Sequence, residues 1–120
     1  MKKKTLVFGA SVKPHRYSNF AITRLVSSGH NVVAFGLRKG TVSGVEIDTE
    51  LIQYPGIDTI TMYMNAQRQK QFYHYLTGLK PKRIIFNPGA ENPEFFRILE
   101  EKGIAFESAC TLVLLSTDQY

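Results

Sequence analysis

The residues best placed to do chemistry are Gly9, Ala10 and Ser11. They close the apolar run Thr5 to Phe8 and lead into Lys13, His15 and Arg16. A short buried strand that breaks at a glycine, passes through small residues and meets cations is a way for an α/β chain to build an anion cradle. Gly9 allows a tight turn, and the small residues let an anion approach main-chain N–H groups. The start of the following helix adds positive potential. Ser18 and Asn19 mark that helix start, with Ser18 as the expected cap. The same glycine also has a purely steric use after the first strand of a parallel sheet.

A second cationic feature, Arg38-Lys39-Gly40, follows the next apolar run. A dinucleotide site would read G-x-G-x-x-G and would place an acid at the end of the second strand for the ribose hydroxyls. Here no further glycine precedes the helix, and no acid stands beside Arg38 and Lys39. Cations at that point suit a phosphate on the ribose, as in NADP or coenzyme A. They also suit two solvated loop charges.

Other reactive side chains are sparse. His15, His30 and His74 fall in a loop, a turn and a helix, and no pair has metal-ligand spacing. No metal site is expected. Cys110 is a candidate nucleophile, but among Ala109, Leu112 and Val113 it also reads as a small apolar filler. Ser11 lacks the G-x-S-x-G elbow of a nucleophilic serine. Glu91 follows Pro88-Gly89 and serves equally as a site acid or as a loop acid before the next helix. No catalytic residue is assigned.

The elements that must position these residues alternate along the chain. Strands are expected at Thr5 to Phe8, Asn31 to Phe35, Asp58 to Met64, Arg83 to Phe86 and Ile104 to Glu107. Helices are expected from Ser18 to Ser28, with Ile22, Leu25 and Val26 inward, from Asn65 to Thr77, and from an Asn92 cap to Lys102. In the second of these, Phe72, Leu76 and Leu79 form a core stripe. The stretch Thr41 to Ile52 reads as irregular, with a short helix at Thr49 to Gln53, and Thr111 to Leu115 as a last short helix or tail. This alternation predicts one Rossmann-like α/β/α domain over 1–120, with a five-stranded parallel sheet in the order 3-2-1-4-5. Ligands of such sheets bind beyond the carboxyl ends of the strands, where the strand order reverses. The expected binding set is therefore Gly9, Ala10, Ser11, Lys13, Arg16, Ser18, Asn19, Arg38, Lys39, Tyr63, Met64, Asn87, Gly89 and Glu91.

Bulk properties narrow the class. The 120 residues are 43% hydrophobic and 21% charged, with a net charge of +5. This is enough for one core without staples. No apolar run approaches the roughly 20 residues of a membrane span. The lysines after Met1 lead straight into the first strand without a signal-peptide pattern, and one cysteine excludes an intramolecular disulfide framework. A cytoplasmic protein is expected. Lys2, Lys3 and Lys4 read as a solvated tail. The basic residues from Gln67 to Tyr75 read as the wet face of a helix, which argues against a nucleic-acid partner.

The order Val7-Phe8-Gly9-Ala10-Ser11, then Ser18-Asn19, then Lys39-Gly40, resembles the small stand-alone CoA-binding proteins. These are relatives of the N-terminal domain of the succinyl-CoA synthetase α subunit. The resemblance continues through Asp58-Thr59-Ile60, the loop Asn87-Pro88-Gly89-Ala90-Glu91-Asn92, Gly103-Ile104, and Glu107-Ser108-Ala109-Cys110. It implies that coenzyme A or an acyl-CoA is the ligand and that Lys39 matches the family's lysine. Two departures stand out. Gly36-Leu37-Arg38-Lys39 replaces an Asn-Pro-Lys turn, and Tyr63-Met64-Asn65-Ala66 lacks the family's Pro-Pro. They fall on the adenine and pantetheine contacts more than on the phosphate contacts. The synthetases work with further domains and a phosphorylated histidine, so the resemblance implies a binding module rather than an enzyme. An NADP-binding, reductase-like domain and a nucleotide-free domain that binds a protein partner remain the alternatives.

Overall fold

Continuous apolar or β-branched runs form the centre of the sheet. A computed structural model describes residues 2–120, so Met1, which precedes the lysine run, lies outside the described residues. β1 (Thr5–Phe8) and β5 (Thr59–Met62) are buried along their whole length, and β6 (Arg83–Phe86) nearly so. Burial on both faces is what a parallel sheet flanked by helices requires. β1 pairs in parallel with β2 (Val32–Phe35) on one side and with β5 on the other. β6 and β7 (Ala105–Ser108) extend the sheet beyond β5.

The expected five strands and their order need correction. The region read as irregular is a hairpin of β3 (Gly40–Val42) and β4 (Val45–Asp48), and no helix forms over 49–53. Ser43 and Gly44 turn it with φ of 49° and 81°. Two consecutive positive φ values make the I′-type turn whose twist matches paired strands. The full order is β3-β4-β2-β1-β5-β6-β7, and only the β3–β4 pair is antiparallel. The place beside the second strand belongs to β4. The run over Thr59–Met62 lies across β1 instead. β3 and β4 were hidden because polar Thr41 and Glu46 interrupt their short apolar runs.

Alternation along the strands divides the core in two. Leu6, Phe8, Ile60, Met62, Ile84 and Phe86 meet Leu76, Phe95 and Leu99 on one face. The aromatic rings stack there, with Phe8 and Phe35 centroids 4.8 Å apart. On the other face Val7, Ala34 and Ile47 meet Ile22 and Leu25 of α1 (Tyr17–Ser27). Val26, expected inward, is exposed, and Ala21 is buried in that helix. Thr59 and Thr61 alternate with Ile60 and Met62, so this second face carries buried hydroxyls.

The helix expected from Asn65 to Thr77 is broken. It comprises α2 (Ala66–Gln69), a 3₁₀ turn over Lys70–Phe72 and α3 (Tyr73–Gly78). α4 (Pro93–Lys102) matches expectation: the Asn92 carbonyl oxygen of the side chain accepts from Phe95 N–H, and Gly103 ends it with φ 70°. α5 (Thr111–Ser116) packs beside α1. The first lysines are not a free tail. The Lys2 ammonium donates to the Ser28 carbonyl, Lys3 to that of Tyr120 at 2.6 Å and Lys4 to that of Pro55 at 2.7 Å. No helix among the described residues is long and apolar enough to cross a membrane.

Candidate functional site

β1 leads to β2 on one side of the sheet and is flanked by β5 on the other, so strand order reverses at its carboxyl end. Gly9 sits there with φ 96°. A Cβ at this position would lie 3.0 Å from the Met64 nitrogen and 3.0 Å from the Tyr63 carbonyl carbon. Glycine is therefore required twice, by conformation and by close approach of the β5–α2 loop. The N–H groups of Gly9 and Ala10 both donate to the Phe35 carbonyl, at 2.9 and 2.8 Å. Both are engaged in holding the loop against β2.

Beyond them the loop turns outward. Lys13 N–H donates to Ser11 Oγ at 3.1 Å, and the Asn19 amide donates to the Ser11 and Val12 carbonyls at 3.3 Å. Asn19 thus ties the loop to α1. Ser18 is not the cap: it lies buried in the first turn, while Arg16 occupies the cap position in extended conformation with no side-chain cap bond. The first-turn N–H groups of Tyr17 and Ser18 consequently lack a side-chain acceptor at the cap, at the positive end of the helix dipole.

The β2–β3 loop abuts this loop. A Cβ on Gly36 would fall 2.3 Å from the Ala10 carbonyl oxygen, and one on Gly40 would fall 2.1 Å from the Val12 side chain. Lys39 and Gly40 are therefore brought against the β1–α1 loop by packing. Lys13, Arg16, Arg38 and Lys39 are all exposed. The ion pairs among the described residues, Lys70–Glu94 and Lys82–Asp58, involve none of them. A depression of about 300 Å³ beside Lys39 is lined by Gly40, Thr41, Glu46, Ile47 and Asp48. Another of about 320 Å³ lies at the opposite edge, among Lys2, Lys3, His30 and Tyr120. Its two ammonium groups are already engaged with carbonyls, so the carboxyl edge has the stronger electrostatic case.

The loops after β5 and β6 have a different character. Met64 is buried, and its carbonyl accepts from Gln69 Nε2 at 2.7 Å. The same nitrogen donates to the Ala90 carbonyl at 2.8 Å, and Gln69 Oε1 accepts from Asn92 Nδ2 at 2.9 Å. Asn92 also donates to Tyr73 Oη at 2.8 Å. Asn87 is buried with its amide engaged. It donates to Thr61 Oγ1 and the Met62 carbonyl and accepts from Thr111 N–H at 2.8 Å. Gly89, with φ 94°, is the positive-φ residue of the turn closed by Ala90 N–H on the Asn87 carbonyl. The Glu91 carboxylate accepts from Gly89 N–H at 2.9 Å, so this exposed acid braces its own loop.

Tyr63 turns toward the second core. Its hydroxyl is buried with no hydrogen-bond partner among the described residues, and the nearby Thr61 and Thr111 hydroxyls bond each other at 2.7 Å. Burial pushes the phenol up to about 12. Cys110 is half-buried at the start of α5. His30 is held at the other edge, where burial and then Lys2 and Lys3 lower its affinity for a proton.

Gln69 was not among the expected residues. A signal was present, since it lies three residues before Phe72 on the stripe continued by Leu76 and Leu79. A polar residue on a core stripe calls for a buried partner.

A doubly wound sheet whose order reverses beside an uncapped helix and four exposed cations defines a Rossmann-like ligand-binding domain. The chain belongs to a family described as CoA binding domain, whose model matches residues 3–116. It is similar to a solved structure titled as that of an uncharacterized protein, with 46% identity and TM-score 0.97 over 100% of this chain and 99% of that one. A conserved hypothetical protein from Pyrococcus furiosus shares 27% identity, with TM-score 0.81 over 94% and 98% of the two chains. A Thermus thermophilus structure, cell-free ID.343, shares the fold at 20% identity and TM-score 0.86, over 99% and 91%. No curated protein matches.

Proposed function

We propose that the chain is a binding module for coenzyme A or an acyl-CoA. The phosphates would sit against Ser11, Lys13, Arg16 and the first turn of α1, with Arg38 and Lys39 reading the 3′-phosphate. The rest of the ligand would cross toward Tyr63, Met64 and the loop at Gly89. Gly9, Ala10, Ser18 and Asn19 shape the first loop, while Asn87 and Glu91 brace the last. The observation that carries this reading is the four exposed cations without ion pairs among the described residues, on two loops packed together through Val12 and Gly40. Family membership supplies the ligand class.

Calorimetric titration with CoA, dephospho-CoA and NADPH tests it. CoA is expected to bind most tightly, and at 100 times Kd it should stabilise the fold by roughly 2.7 kcal/mol. No response to CoA or acetyl-CoA at millimolar concentration would sink the proposal. Tighter NADPH binding would replace CoA with a dinucleotide.

A further inference from the structure

Gln69 stands out as a fully buried polar side chain at the point where α2 gives way to a 3₁₀ turn. Its amide touches two separate loops. Nε2 donates to Met64 in the β5–α2 loop and to Ala90 in the β6–α4 loop, and Oε1 accepts from Asn92, the cap of α4. Only one orientation of the amide fits, because rotating it would set an oxygen against two carbonyls. A methionine would fill similar space without the desolvation penalty of an amide. It could not hold two carbonyls in register.

We propose that Gln69 is a positioning residue. Its single amide sets the separation of the β5–α2 and β6–α4 loops, and through them the affinity for the part of the ligand beyond the phosphates. This rests on the CoA reading above. It adds a division of the site: the phosphate end is independent of Gln69, and the pantetheine end depends on it.

The test uses two ligands and two variants, Gln69→Met and Gln69→Glu. Adenosine 3′,5′-bisphosphate carries the phosphate end alone. In Gln69→Met, CoA affinity is expected to fall at least 10-fold, while bisphosphate affinity stays within about twofold, the size of effect set by losing bonds to buried groups. In Gln69→Glu, a neutral carboxyl can still donate one hydrogen bond, whereas a carboxylate faces two carbonyls. CoA affinity should therefore fall more steeply than in wild type as pH rises from 5 to 8, with bisphosphate affinity following wild type. Parallel losses for both ligands, or CoA affinity within threefold of wild type in a folded Gln69→Met, would overturn the proposal. If neither variant folds, the wild-type Gln69 side-chain NH₂ resonances decide: they should shift with CoA and not with the bisphosphate, and silence toward CoA would overturn it. If wild type binds no CoA, the functional reading fails separately. Amide exchange in Gln69→Met then tests the loop link, because the Arg68 and Ala90 amides, bonded to Asn65 and Asn87 at the ends of the two loops, should accelerate together. Acceleration of one or neither would overturn it.

Discussion

The two halves of the carboxyl edge handle polar groups in opposite ways. On the β1–β2 side, Lys13, Arg16, Arg38 and Lys39 stand in solvent and the α1 terminus has no side-chain cap bond. On the β5–β6 side, Gln69, Asn87 and Asn92 are buried; Gln69 bonds the Ala90 carbonyl and Asn92, while Asn87 ties β5 to the start of α5. The first half retains capacity for a charged ligand. The second has its buried side-chain amides engaged in holding backbone. The comparison teaches that position at a switch point does not by itself make a residue a ligand contact. What matters is whether its donors are free.

Substitutions can break this contrast. The largest effect is expected from Asn92→Leu, which removes a helix cap and strands the Gln69 oxygen. Urea denaturation should show a loss of about 3 kcal/mol. A loss below about 1 kcal/mol would mean that the buried network adds little. Gly9→Ala strikes the seam between the halves, where φ is 96° and backbone lies 3.0 Å from the new methyl. It should destabilise by roughly 1–3 kcal/mol in the same assay.

Lys39→Ala belongs to the charged half and should act on binding alone. CoA affinity is expected to drop about 10- to 150-fold, the equivalent of one charge-assisted bond. Dephospho-CoA should lose much less, and stability should stay within about 0.5 kcal/mol. Equal losses for both ligands would move Lys39 from the 3′-phosphate to a structural or pyrophosphate role. The smallest effect is expected from Tyr63→Phe. The hydroxyl it removes is buried and unpartnered, so stability should hold or rise by up to about 1 kcal/mol. A clear loss would reveal a hydrogen bond to Thr61 or Thr111 in solution.

Much of this was legible in the residues themselves. The strands around β1 announce themselves because continuous apolar runs are buried on both faces. Asn92, Pro93, Glu94 and Gly103 bracket α4 through local chemistry alone. The β3–β4 hairpin was not legible, since its pairing depends on β2 lying alongside and its turn uses Ser43 rather than a stronger turn former. Ser18 looked like a cap by type, yet the chain enters α1 through Arg16. In the site, loop positions could be read from topology. Which donors were free could not, because the Phe35 carbonyl takes both Gly9 and Ala10 through contacts remote in sequence.

That shared carbonyl has a thermodynamic consequence. Two hydrogen bonds from consecutive residues converge on one atom of the neighbouring strand, and Asn19 holds the next two carbonyls. The loop thus has its conformation before any partner arrives. On the CoA reading proposed above, binding would surrender little chain freedom at this point, and the unfavourable entropy of ordering would fall on the flexible arm of CoA instead.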